Sequence, residues 1–199
     1  PPALSVTGVA EAVALAQQYI VGAQEADRTF RSSHDPTTGA EANTTLNLPR
    51  QAGTTYALCE LGHGRALKGA VQRALSAFAP TEQQFGEVSA LSDGSGFGLG
   101  KSALPLLAML RCRELAGPDN DRLIGQLSRL MLGLQRDNGS FFPAFDPATK
   151  RGRGQHEILY AAGQAVLSLV LLEQQLDSLK GGAAEPLPAG PVVAETVEL

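Results

Sequence analysis

Five acidic residues stand where a carboxylate could do chemistry, because the chain bends or begins a helix there: Asp35, Asp93, Asp137, Asp146 and Glu157. Glycoside chemistry needs two carboxyl groups that flank a cleft, one kept protonated by an apolar setting and one ionised. The four aspartates equally fit turns, in which an Asp carboxylate accepts backbone N–H bonds. Glu157 equally fits the first turn of a helix, where its charge favours the dipole. We take Glu157 as the candidate acid/base, because His156 and Tyr160 could share its pocket.

Further polar residues could bind a ligand, and we take five as candidates: Arg50, Tyr56, His156, Tyr160 and Asp146. Arg50 could clamp the anionic group of a uronate or a phosphate, or it could form a salt bridge to a loop carboxylate. The tyrosines and His156 would orient the ligand. The three histidines show neither His-x3-His nor His-Glu-x2-His spacing, so we predict no metal site, and no motif indicates a cofactor.

A glycine-rich stretch, Gly94–Ser102, ends in Gly-Lys-Ser like the phosphate-binding loop of nucleotide-binding proteins. That loop needs a further glycine where Ser95 stands, and it follows a buried strand. The preceding stretch, residues 85–91, reads as at most one weak strand. We therefore do not assign nucleotide binding.

The composition predicts a helical protein. The 199 residues include 29 Ala and 29 Leu but only 3 Ile and 11 Val, and Ala and Leu favour helices whereas β-branched residues favour strands. With 43% hydrophobic and 18% charged residues the chain is too apolar to be disordered, and its length suits one domain. A net charge of −4 argues against a nucleic-acid partner. No apolar run approaches the ~20 residues of a membrane span.

Apolar residues recur with helical spacing in six stretches, at about residues 8–24, 49–62, 67–79, 103–116, 121–134 and 157–179. The first, third and fifth are amphipathic, whereas the fourth and sixth are apolar nearly all round and the second is intermediate. This alternation predicts outer and inner helices stacked as hairpins. Three long loops, residues 25–48, 80–100 and 136–156, would lead to the inner helices at one edge of the layer, which we call the rim.

An internal repeat supports this organisation. Phe30-Arg-Ser-Ser-His-Asp-Pro-Thr-Thr-Gly39 is similar to Phe141-Phe-Pro-Ala-Phe-Asp-Pro-Ala-Thr-Lys150, at an offset of 111 residues. The helices that follow open on Gln51-Ala-Gly and Ala161-Ala-Gly, at an offset of 110. Two matched features at nearly one offset indicate repeated structure.

Three motifs together resemble the six-hairpin glycosidase-like (α/α) toroid superfamily, and within it a little-characterised bacterial branch. They are Arg50-Gln-Ala-Gly-Thr-Thr-Tyr-Ala-Leu58, Leu134-Gln-Arg-Asp-Asn-Gly-Ser-Phe141 and Tyr160-Ala-Ala-Gly-Gln-Ala-Val-Leu-Ser-Leu169. The superfamily includes glycoside hydrolases, unsaturated-uronate hydrolases and sugar epimerases. The chain departs from the branch at four polar positions: Gln51 replaces His, Lys101 and Gln164 replace Glu, and Asn138 replaces Asp.

The resemblance implies an all-α fold of helical hairpins that form an (α/α) toroid or half-toroid of about six helices. Residues 1–180 would be the hairpin domain, or a fragment of a longer toroid, and residues 181–199 a Pro/Ala/Gly-rich tail that is disordered or lies over a neighbour. A half-toroid would expose inner-helix residues such as Leu106, Leu107 and Val170.

The resemblance implies a carbohydrate-related function, either saccharide binding or glycoside hydrolase- or epimerase-like processing at the rim. The alternative is a non-catalytic interaction or scaffold subunit whose open apolar flank packs on a protein partner or on another copy of the chain. Cys59 and Cys112 lie in helical apolar segments, so we expect two buried free thiols. The sequence does not specify a compartment.

Overall fold

A computed structural model of the protein describes residues 4–31, 35, 37–38, 46–61 and 65–180. The helices among these residues are α1 (Val6–Gly22), α2 (Leu48–Glu60), α3 (Arg65–Ser76), α4 (Leu99–Ala116), α5 (Asp121–Leu134) and α6 (Leu159–Lys180). The strands are β1 (Glu82–Phe85), β2 (Val88–Leu91), β3 (Ala144–Asp146) and β4 (Arg151–Arg153). The predicted tail, residues 181–199, lies outside the described residues, as do His34 and His63.

The mainly helical fold is confirmed, but the all-α prediction is corrected by two small antiparallel sheets. β1 pairs with β2, with Glu82 opposite Leu91, and β3 pairs with β4, with Phe145 opposite Gly152. Residues 85–91, which were expected to form at most one weak strand, make the turn and second strand of the first hairpin. Both hairpins lie in long loops, where strand pairing satisfies backbone N–H and C=O groups that would otherwise lack partners.

The helices form two layers. α4 lies between α2 and α6, and these three inner helices run parallel. A Cβ added at Gly53 of α2 would lie 3.9 Å from Leu104, and one added at Gly100 of α4 would lie 3.5 Å from Ala161. The outer helices bridge them, since α3 packs on α2 and α4, and α5 packs on α4 and α6. The predicted alternation of outer and inner helices is thus observed from α2 to α6, whereas α1 buries no residue.

The core lies around α4, which has neighbours on both sides. Leu106 and Leu107 are buried, so the expectation that a half-toroid exposes them is wrong. They belong to the middle inner helix, which α2 and α6 cover. Val170 is 42% exposed, as expected, because α6 is the last helix of the row. Among the described residues of the inner helices, the exposed large apolar side chains therefore lie on α6, at the end of the row.

A disulfide joins Cys59 of α2 to Cys112 of α4, whose Cα atoms lie 5.4 Å apart. The expectation of two free buried thiols is therefore wrong. The cause is the parallel packing of α2 and α4, which brings both cysteines to one level of the core. The bond links residues 53 positions apart and ties two inner helices together.

Two helix starts differ from the predicted ones. α4 begins at Leu99 after Gly98, four residues before the start that the apolar spacing predicted. Ser102 is buried inside the helix, where its hydroxyl accepts the Leu91 N–H at 3.0 Å and fixes β2 to α4. α6 begins at Leu159, which places Glu157 two residues before the helix.

Candidate functional site

The inner helices all begin at the rim, and the loops that lead to them fold there through repeated turns. Thr29 donates its N–H and its hydroxyl to Asp27 Oδ1 at 3.0 and 2.7 Å. In the loop before α6, Ser140 donates the same two groups to Asn138 Oδ1 at 3.1 and 2.7 Å. The two turns have the same hydrogen bonds 111 residues apart, which confirms the repeat.

The backbone of these two turns also matches. Gln24 bridges to Phe30 in the first turn, and Gln135 bridges to Phe141 in the second. Each turn has one residue in the left-handed region, at φ +76° for Arg28 and +83° for Gly139. Because a non-glycine residue is strained in that region, the first turn keeps the conformation at some energetic cost.

The aspartates of the repeated Asp-Pro segments stabilise turns. Asp35 accepts the N–H and the hydroxyl of Thr37, and these hydrogen bonds lower its pKa to about 2. Asp146, at the end of β3, accepts the Ala148 N–H at 2.9 Å. Both residues thus have the turn role that the sequence offered as an alternative to catalysis. Asp137 is exposed in the adjacent turn.

Side chains from the inner helices or their approaches hold the repeated turns. Gln51 Oε1 accepts the Phe30 N–H at 3.0 Å, and Glu157 Oε1 accepts the Phe141 N–H at 3.2 Å. An amide and a carboxylate therefore make equivalent bonds in the two repeats. The bond from the Phe141 N–H therefore attaches Glu157 to the turn at the rim.

Glu157, His156 and Tyr160 are exposed neighbours at the start of α6. Tyr160 is 73% exposed, so one aromatic ring stands free for a ligand. Arg50 is also exposed and lies in the first turn of α2, which Asn47 caps by accepting the Arg50 N–H at 3.0 Å. The two groups lie at the same rim with α4 between them.

Tyr56 lies further along α2, away from the rim group. Its neighbours are Glu60 and Arg111, which form an ion pair at 2.7 Å. Burial, with a hydrogen bond to Glu60, raises the pKa of Tyr56. Arg111, followed by Tyr56, lowers the pKa of Glu60. Tyr56 thus belongs to a polar cluster between α2 and α4 rather than to the start of α6.

The middle rim loop is held by an ion pair that the sequence did not reveal. Lys101 Nζ lies 2.7 Å from Asp93 Oδ1 and also donates to Ser95 and to the Gly96 carbonyl. Burial opposes ionisation of Asp93, but the bonds from Lys101 and Ser95 lower its pKa overall. The lysine of the Gly-Lys-Ser stretch is therefore occupied by its own loop. The signal was the Asp-Gly-Ser-Gly turn eight residues before a lysine.

Gln51 is a second residue whose role was missed. Its Nε2 donates to the carbonyls of Arg28 and Ala74 at 3.2 and 3.3 Å, while its Oε1 accepts from Phe30. One buried amide thus ties the first rim loop to α2 and α3. Both an acceptor and a donor are needed here, and an amide supplies them at every pH.

The described part of the chain shows neither a group of side chains that could hold a metal ion nor a helix that could span a membrane. No three His, Cys, Asp or Glu side chains there group closely enough to hold a metal ion. None of the helices described is long and apolar enough to cross a membrane. No protein-family model, curated protein or solved structure matches this chain significantly.

Proposed function

We propose that this chain is a carbohydrate-related protein of the (α/α) toroid type that binds a saccharide at its rim. The observation that carries the proposal is the exposed group at the start of α6, in which Tyr160, His156 and Glu157 lie within five consecutive residues and are all exposed. Saccharides bind through their apolar faces to aromatic rings and through their hydroxyls to carboxylates and other polar groups. Arg50, at the start of α2, would contact an anionic group further along the same ligand.

The bonds made by the carboxylates favour binding over hydrolysis. Hydrolysis needs a pair of carboxyl groups free to act on opposite sides of the bond. Asp93 is paired with Lys101, Asp146 closes a turn, and Glu157 accepts a backbone N–H. We therefore assign these groups to loop structure and ligand contact.

The experiment is a titration with neutral and uronate-containing oligosaccharides, read by calorimetry. We expect Tyr160→Ala to weaken binding by roughly 3- to 10-fold, the value of one aromatic stacking contact, and Tyr160→Phe to retain it. Arg50→Ala should weaken only the uronate ligands. Binding that is equal in wild type and Tyr160→Ala contradicts the proposal. Release of reducing sugar that Glu157→Gln abolishes would show hydrolysis instead.

A second function, that of a non-catalytic interaction subunit, is favoured by the exposed flank of α6. We call this flank the α6 edge, and it comprises Val166, Leu167, Leu169, Val170 and Leu176 of α6 together with Leu132 of the neighbouring α5. A groove of about 320 Å³ runs along it between α5 and α6. Exposed apolar residues that line a groove can mark a protein contact, so the α6 edge fits such a contact.

The Cys59–Cys112 disulfide adds a proposal about compartment. Buried disulfides form and persist mainly in oxidising environments. We therefore propose that the chain matures outside the reducing cytosol. Alkylation of the protein in its source cells before lysis tests this, since a labelled Cys112 would contradict it.

A further inference from the structure

The repeat shows which faces of the first and last hairpins lack a packed neighbour in the described part of the chain. At its offset of 111 residues α1 corresponds to α5, and at its offset of 110 α2 corresponds to α6. α5–α6 has a hairpin before it but none after it among the described residues. Among the same described residues, α1–α2 has a hairpin after it and none packed on its other side.

α1 carries apolar side chains where a preceding hairpin would pack. Leu15 and Tyr19 are 66% and 68% exposed, whereas their counterparts Gln126 and Leu130 on α5 are 7% and 3% exposed. α5 is covered by β2 and α4, and Ser89 of β2 donates to Gln126 Oε1 at 3.3 Å. α1 has no buried residue and only one charged residue, Glu11, which is unusual for a helix facing solvent.

α6 carries apolar side chains where a following hairpin would pack. Its Leu169 and Val170 correspond to Cys59 and Glu60 of α2. In α2 those two residues contact the next inner helix, through the disulfide to Cys112 and the ion pair with Arg111. On α6 the same positions border an open groove.

We propose that a second copy of this chain packs head to tail on the α6 edge, with its α1–α2 hairpin in the position that the repeat gives to a following hairpin. This rests on the interaction-subunit function above. A second copy is the occupant that satisfies both ends, because one contact covers α6 of the first copy and α1 of the second. With two-fold symmetry the contact occurs twice and the assembly closes as a pair.

Light scattering coupled to gel filtration, at micromolar concentration, tests the pairing. The wild-type chain should run at twice its mass of 20.7 kDa. Val170→Arg on the α6 edge and Tyr19→Arg on α1 should each give a monomer, because each substitution disrupts both contacts. Gln72→Arg, on the exposed face of α3, is the matched control and should remain a dimer. Circular dichroism checks that each variant is folded.

Mixing the two monomeric variants tests the head-to-tail geometry. The Val170→Arg chain keeps an intact α1, and the Tyr19→Arg chain keeps an intact α6 edge, so a one-to-one mixture should restore a dimer through one intact contact. If Val170→Arg dissociates the dimer but Tyr19→Arg does not, two α6 edges meet each other and the head-to-tail proposal is wrong.

If the wild-type chain is a monomer, the head-to-tail proposal is wrong. In that case, binding of an apolar dye shows whether the interaction function is also wrong. If the dye binds wild type but not Val170→Arg, the α6 edge is open to a different partner and the interaction function survives. If the dye binds only after Val192→Asp and Val193→Asp are introduced, the segment 181–199 covers the edge, and both proposals fail.

Discussion

The Cys59–Cys112 disulfide gives the sharpest quantitative prediction, because its contribution to stability follows from the length of chain it closes. Its two cysteines are 53 residues apart. In the chain-entropy account, closing a loop of that length removes enough disorder from the unfolded chain to stabilise the fold by about 4 kcal/mol at 25 °C. For a protein of this size, that loss would lower Tm by roughly 10 °C.

Urea unfolding with and without a phosphine reductant measures this difference. The unfolding free energy should fall by about 4 kcal/mol when the bond is reduced. The variant Cys59→Ala/Cys112→Ala is the control, since the reductant should not change its stability. Titration of the wild-type chain in guanidinium without reductant should find no free thiol. Two free thiols per chain, or a midpoint that the reductant does not move, would refute the bond.

Substitutions at four further positions test the rim. Arg28→Gly should stabilise the fold by about 1 kcal/mol because it relieves a left-handed residue, and Gly139→Arg should destabilise it by a similar amount, both read from urea midpoints. Asp93→Asn should cost about 1–2 kcal/mol at neutral pH, since it leaves the Lys101 charge unpaired. Folding lowers the pKa of Asp93 below its ordinary value of 3.8. The difference in unfolding free energy between wild type and Asp93→Asn should therefore be fully present above pH 3.8. It should shrink as the pH falls below 3.8 and vanish once the pH is below the lowered pKa. Glu157→Gln should leave stability unchanged and Glu157→Ala should cost about 1 kcal/mol, measured by the same unfolding assay.

The six helices could be predicted because their signal is local. Apolar spacing places them within a few residues of their observed bounds, and the contrast between amphipathic and all-apolar helices predicted the two layers. The strands could not, since segments such as Glu82–Phe85 and Arg151–Arg153 show no alternating pattern. They exist because a partner strand lies beside them, which is a property of the folded loop.

The disulfide was missed for a related reason. Each cysteine lies roughly three turns from the start of its inner helix, so the two meet only if the helices are parallel and level. The sequence predicted parallel inner helices but not their relative height. That height is set where α2 and α4 approach at Gly53 and where Ser102 anchors α4 to β2.

The sequence predicted where several candidate residues lie along the helices but not what they bond to. The sequence put Arg50, His156, Glu157 and Tyr160 at helix starts, and the structure has them exposed at or just before those starts. Its one signal for the ion pair between Lys101 and Asp93, an Asp-Gly-Ser-Gly turn eight residues before the lysine, did not specify the pairing. An ion pair of this kind depends on the conformation of the loop, and the same residues are compatible with many loop conformations.

The two repeats show what is distinctive about Glu157. Gln51 and Glu157 accept equivalent backbone N–H groups, from Phe30 and Phe141. Since an amide suffices in the first repeat, the turn does not require a negative charge in the second. Gln51 is buried and also holds α3, whereas Glu157 is exposed beside Tyr160. The turn therefore does not require the negative charge at residue 157, and the saccharide-binding proposal assigns that charge to ligand contact.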